Sequence, residues 1–243
     1  MNTKCCVVVA LSVSVLAGCS SGGGTGASPA AGSSSDTQAL SALRKAVKAT
    51  EKAGSARLEG TATTGTTTST GKGALDWSQD AVTGTLVVSG SGAAQTRCLR
   101  TAVYLRVNDA VAASLGGKHW LKYDRSALAS AIQQLTANEP AKPLRELVAS
   151  GDVREVGPQT VHGVRTTHYL GTTDTERIEL WIDKDGLVIK AVRQDDGSAG
   201  TTTTTWYYTG YGAKVAVKAP PSADTVDYTA LLNRQSVSPS GTP

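Results

Sequence analysis

Apolar residues recur along this chain at two different spacings, and each spacing predicts a different element. Over residues 37–53, Leu40, Leu43 and Val47 fall at helical intervals with alanines beside them, Asp36 stands at an N-cap position and Gly54 stands where the run ends. The spacing predicts a helix with one apolar stripe, and such a stripe has to cover something. From residue 55 the period drops to two. Residues 55–64, 71–80 and 81–90 are short runs rich in threonine and valine, broken by glycine, and each reads as an antiparallel strand. In the third, Val82, Leu86 and Val88 share one parity. Residues 98–109 alternate cleanly, with Leu99, Val103, Leu105 and Val107 on one face and Arg100, Tyr104 and Arg106 on the other.

The second half repeats the pattern with helices inserted. A short insertion at 110–117 precedes a strand at 118–124. Ser126 then caps a helical stretch striped by Leu128, Ile132 and Leu135, and 140–150 forms a further helical turn or two, opened by prolines. Strands follow at 151–161, 163–174, 175–186 and 187–196, with "DKDG" as a hairpin turn; Ile178, Leu180 and Ile182 oppose Arg177, Glu179 and Trp181. Residues 201–212 and 214–220 extend the sheet, and 222–234 closes it as a helix or turn. An antiparallel sheet of roughly ten strands is expected to curl, with its apolar concave face toward the helices. The helices are too few to fill that face, which leaves room for a ligand lined by Val82, Leu86, Val88, Val103, Leu105, Val107, Ile178, Leu180 and Ile182.

Ahead of this body lies a different kind of segment. The apolar run 5–18 follows Lys4 and is shorter than the ~20 residues a bilayer-spanning helix needs, so it reads as a secretory signal. It ends Leu16-Ala17-Gly18-Cys19, which resembles the lipobox of bacterial lipoproteins. That resemblance implies diacylglycerol on Cys19, cleavage after Gly18 and a cell-membrane location on the extracytoplasmic face. Residues 1–18 are then the signal peptide, 19–36 a flexible tether rich in glycine and serine with a reach on the order of 20 Å, 37–234 the folded domain and 235–243 a flexible tail.

Charge and chemistry narrow the function further. The formal net charge of +4 is dispersed, which argues against nucleic acid as a partner. Cys5 and Cys6 leave with the signal, so Cys98 remains in the body as a small buried strand residue. His119, His162 and His168 have no metal-binding spacing, and Asp183 with Asp185 and Asp195 with Asp196 read as turn residues. No nucleophile elbow, phosphate loop or dinucleotide fingerprint is present. The expectation is a protein that is not an enzyme, with no metal and no cofactor.

The lipobox at Cys19, the early helix, "GKHWLKYD" (117–124), "VHGVRTTHYLGTTD" (161–174) and "LWIDKDGLVIKAVR" (180–193) together resemble actinobacterial lipoproteins related to the mycobacterial LppX/LprA/LprF/LprG group. The resemblance implies an α+β, LolA-like fold, a strongly curved antiparallel half-barrel with helices covering the concave face around an apolar cavity. It also implies an acylated lipid or glycolipid as ligand. The alternative is a regulatory or scaffolding lipoprotein that holds another envelope protein on the same sheet. The chain departs from a well-greased carrier in having no phenylalanine.

Overall fold

Residues Gly32–Ala53 form one helix, α1, and its buried line runs Ala39, Leu43, Ala46, Thr50. Leu43 sits at the centre of the expected stripe, while Leu40 and Val47 flank it half-buried. Small residues on either side of Leu43 let the helix come close to its support. Gly54, at φ 74, ends it in the left-handed conformation that a side chain would resist. The computed structural model describes residues 32–79, 81–88, 92–128, 138–197 and 200–228. The expected signal peptide, Cys19, most of the tether, the helix after Ser126 beyond Leu128, and the C-terminal tail lie outside the described residues.

After α1 the chain forms β1 (Ser55–Thr64), β2 (Thr67–Asp76), β3 (Ala81–Val88), β4 (Gly92–Cys98) and β5 (Ala102–Arg106). Helix α2 (Asp109–Ser114), β6 (Trp120–Asp124) and a 3-10 turn (Arg125–Leu128) follow, then helix α3 (Ala141–Ser150). The remaining strands are β7 (Val153–Val161), β8 (Val164–Thr172), β9 (Glu176–Asp183), β10 (Val188–Gly197), β11 (Gly200–Thr209) and β12 (Thr225–Asp227). All join one 12-stranded sheet in the order β12-β6-β5-β4-β3-β2-β1-β11-β10-β9-β8-β7. Strand β1 lies near the middle, paired with β2 on one side and β11 on the other.

The expected strongly curved, wholly antiparallel half-barrel is not what forms. The fold is α+β with an open sheet, whose ends β12 and β7 do not meet, and the β12–β6 pair is parallel. Both edges have local reasons to stop. Pro158 on β7 has no N–H to donate, and the ladder shifts register between Glu155 and Gly157. On the other side β12 is only 3 residues long. Among the described residues the helices bear mainly on one part of the sheet: α1 packs on β7, α3 on β7, β8 and β9, and the 3-10 turn on β5 and β6. Gly171 on β8 is needed for this docking, since a Cβ there would stand 2.2 Å from the Asp152 carbonyl oxygen and 2.7 Å from Leu147 Cδ2 of α3.

Several local expectations also change. Residues 98–109 are not one strand: Leu99 sits in the turn between β4 and β5, its N–H donating to the Ala102 carbonyl. The insertion at 110–117 contains α2, capped by the Asn108 side chain, which accepts from the Val111 N–H. Residues 214–220 form no strand, because the segment runs into Pro220 and Pro221 and is held by side chains instead. Ser55 Oγ donates to the Ala213 carbonyl and Arg97 Nη1 to the Lys218 carbonyl. Residues 222–227 become a 3-10 turn and β12.

Candidate functional site

Register places most of the expected ligand-lining residues on one face. Val82 of β3 is opposite Leu75 and Cys98, and Cys98 is opposite Val103 of β5. Leu86 and Val88 have the same backbone parity on β3, and Leu105 the same parity on β5. Val107 lies just past β5, where its N–H donates to the His119 carbonyl. On β9, Ile178, Leu180 and Ile182 share the face with Ala191 and Val188 of β10. Val82, Val103, Ile178, Leu180 and Ile182 belong to one buried cluster with Leu43 of α1 and Leu144 and Leu147 of α3, and Leu105 packs half-buried at its border.

Burial is complete at both ends of this face, with Val103 and Cys98 as buried as Ile178 and Leu180, but the side-chain bulk between them is uneven. Ile178 and Leu180 are fully buried in the same cluster as the helix residues Leu43, Leu144 and Leu147. Between them and β5, the same-face positions of β1, β2 and β3 include Gly60, Gly71, Gly73 and Gly84, with Ala62 beside them. These positions carry no bulk. Trp206 of β11, opposite both Gly60 and Ala191, has a buried indole N–H with no hydrogen-bond partner among the described residues.

The apolar face also holds a charge cluster that the alternation did not reveal. Arg193 lies opposite Ile178, and its guanidinium meets Glu176 of β9 (Nε to Oε2, 2.7 Å) and Glu146 of α3 (Nη1 to Oε2, 2.9 Å). Lys142 completes it by pairing with Glu146. Tyr208, fully buried, donates its hydroxyl to the Asn138 carbonyl at 3.0 Å, and burial pushes the phenol well above its usual range.

The opposite face carries a cross-strand stack. His168, Trp181, Lys190 and Tyr207 are successive register partners on β8, β9, β10 and β11. The His168 and Trp181 rings stack at 4.2 Å, 3° from parallel, and Lys190 Nζ stands 4.1 Å from the centre of the Trp181 ring. His168 Nε2 lies 2.9 Å from Glu179, and its Nδ1 3.3 Å from Gln159, whose Oε1 accepts from the Trp181 indole. Burial holds the His168 pKa below the ordinary histidine value; Lys190 and Arg154 act in the same direction and Glu179 opposes them. The unfolded chain therefore takes up this proton more readily than the folded one, and stability falls as pH drops from 7 through the unfolded value near 6.5. Denaturant midpoints measured from pH 7.5 to 5 are expected to decline, and a His168→Phe variant is expected to lack that component. An unchanged pH slope in the variant overturns it.

Among the described residues no group of His, Cys, Asp and Glu could hold a metal ion, and no helix is long and apolar enough to cross a membrane. Asp183 acts as a turn residue, its Oδ1 accepting from the N–H groups of Asp185 and Leu187. Cys98 is fully buried on β4.

No protein-family model matches the chain. It is 36% identical over 219 residues to "Putative lipoprotein SCO4650" of Streptomyces coelicolor, covering 80% of this chain and 76% of that protein. It is 29% identical over 255 residues to an uncharacterized 31.2 kDa protein from the rplA-rplJ intergenic region of Streptomyces griseus, covering 84% and 83% of the two chains. Among solved structures, the lipoprotein LppX of Mycobacterium tuberculosis aligns over 76% of this chain and 100% of its own, with a TM-score of 0.56 at 14% identity, a likeness of fold. By its identity to the Streptomyces coelicolor protein, the chain belongs to the actinobacterial lipoprotein family of SCO4650, built on an LppX-like fold.

Proposed function

We propose that this protein is a non-catalytic lipoprotein, anchored through diacylglycerol on Cys19 to the extracytoplasmic side of the cell membrane, that binds an acylated lipid on the helix-covered face of its sheet. The observation that carries this reading is the change in side-chain bulk along one apolar face. Around β9 the face is packed by helices, whereas toward β3 and β5 it combines Val82, Val103 and Leu105 with neighbouring glycine positions. An acyl chain laid there gains about 0.8 kcal/mol for each methylene it buries. The Trp206 N–H, without a partner among the described residues, adds to the case, since an ester carbonyl would satisfy a donor whose burial otherwise costs about 1–3 kcal/mol. Of the residues expected to line the ligand, Val82, Leu86, Val88, Val103, Leu105 and Val107 form the binding part, and Ile178, Leu180 and Ile182 form the packed wall.

Native mass spectrometry of the full chain, released from detergent micelles, tests this directly. Satellite peaks at the mass of a phospholipid or glycolipid, beyond the covalent acyl mass, are the expected result. A single unliganded mass, with no saturable uptake of added lipid, moves the function to the alternative of holding another envelope protein.

A further inference from the structure

The sheet face turned away from the helices bears a furrow, apart from the face proposed to hold lipid. At one end the β7–β8 turn holds His162 at φ 46, a left-handed conformation that non-glycine residues avoid. Its ring stacks on Tyr207 at 4.4 Å and 18°. This brings the tip of the hairpin to β11, which lies three strands from β8 in the sheet order. Beside the stacked pair is a hollow of about 450 Å³, bounded also by Glu59, Thr61, Thr70 and Lys72. A second hollow of about 540 Å³ shares Glu59 and Lys72 and continues past Arg57, Thr83 and Gln95 to Arg97. The two form one track across β11, β1, β2, β3 and β4.

Glu59 and Lys72 run through both hollows; the aromatic pair with Thr61 and Thr70 borders the first, and Arg57, Thr83, Gln95 and Arg97 border the second. Among the described residues the cations Arg57, Lys72 and Arg97 outnumber the carboxylates along the track, where Glu59 alone is acidic. Arg97 is already positioned, with its guanidinium carbon 4.6 Å from the centre of the Trp120 ring and Nη1 donating to the Lys218 carbonyl. Among the described residues, Arg57 and Lys72 form no ion pair. An aromatic plate suits the C–H face of a sugar ring, hydroxyl and amide side chains suit its hydroxyl groups, and ordered guanidinium and ammonium groups suit carboxylate or phosphate. A recessed, elongated track admits a single chain, whereas a flat membrane surface would rest on its rims.

We propose that this furrow binds an acidic oligosaccharide, a sugar chain bearing carboxylate or phosphate groups. The site is separate from the lipid face, so the two proposals stand or fall independently.

Calorimetric titration of the full chain in detergent tests it with four probes. Hexagalacturonate supplies carboxylates, phosphorylated maltohexaose supplies phosphates, maltohexaose is the neutral control, and glycerophosphoglycerol is a free phospholipid headgroup. Saturable binding of either charged hexasaccharide is expected at least tenfold tighter than maltohexaose and weaker in high salt. Which of the two binds identifies the anion. Lys72→Gln is expected to weaken binding several-fold without changing the melting temperature, and Lys72→Glu, which sets a second carboxylate opposite Glu59 across the β1–β2 pair, at least tenfold; Tyr207→Ala is expected to weaken it at low and high salt alike. The proposal is overturned if neither charged hexasaccharide binds saturably, if only glycerophosphoglycerol binds, or if binding is unchanged in both Lys72→Glu and Arg97→Glu.

Discussion

Metabolic labelling with a clickable fatty acid is expected to mark the wild-type chain and to leave a Cys19→Ser variant unmarked. Only the cysteine thiol can form the thioether that carries diacylglycerol, and a serine hydroxyl at the same position offers no substitute. The expected loss is complete, because it removes a covalent bond and not a fraction of a binding energy. Anchoring should follow the label. One acyl chain gives only marginal attachment, and stable attachment takes two, at about 0.8 kcal/mol per buried methylene. The variant should also keep its signal segment, since processing after Gly18 is expected to depend on prior modification of Cys19; uncleaved, residues 5–18 can still hold part of the population at the membrane. Fractionation alone is therefore the weaker readout, and the label with the mass of the N-terminal peptide is the decisive one. Equal labelling of both chains would remove the lipoprotein anchor from the proposed function, while leaving both proposed binding faces untouched.

Strand existence was legible in this sequence wherever alternation was strong, and it failed wherever pairing was decided by distant residues. Ile178, Leu180 and Ile182 could be placed on one face from parity alone, and the structure puts all three in the core. Strand β4 was missed because "GAAQTRC" offers no apolar alternation; what makes it a strand is its pairing with β3 and β5. Strand β12 was hidden for the same reason in a stronger form, since its 3 residues are strand only through β6, over a hundred positions earlier. Openness of the sheet has no periodic signature either: it follows from Pro158 and a register shift at one edge and from the brevity of β12 at the other. Arg193 occupies an inward position because Glu146 and Glu176 arrive from α3 and β9 to meet it, and the local alternation of its strand announces neither partner. The furrow on the other face was equally invisible. It depends on His162 reaching Tyr207, and nothing in the local sequence of either residue announces that contact.

Truncating Leu180 and Leu105 to alanine is expected to separate the packed part of the sheet face from the part proposed to hold lipid. Leu180 is fully buried, opposite Tyr169 and Ala191, in the cluster that includes the helix residues Leu43, Leu144 and Leu147. Removing its branched end leaves a cavity that rigid neighbours on several elements cannot close, at a cost of about 2–5 kcal/mol. In a domain of this size each kcal/mol corresponds to roughly 2–4 °C, so the melting temperature should fall by roughly 4–20 °C. Leu105 is only half-buried, opposite Thr96 and Leu121 at the border of the same cluster. The part of its surface that is not packed has no neighbouring atoms to lose, so Leu105→Ala should cost about 1 kcal/mol or less in the delipidated chain. Lipid retention should show the opposite order. Leu105→Trp adds apolar bulk where the acyl chain is proposed to lie, and it should reduce retention of a fluorescent phospholipid while the melting temperature holds. A tryptophan is the cleaner probe than a charged residue, whose desolvation would weaken fold and ligand together. Equal destabilisation by the two alanine variants, or full retention of phospholipid by Leu105→Trp, would show that the face toward β5 is packed core like that around β9, and would leave the envelope-protein alternative as the reading for this face.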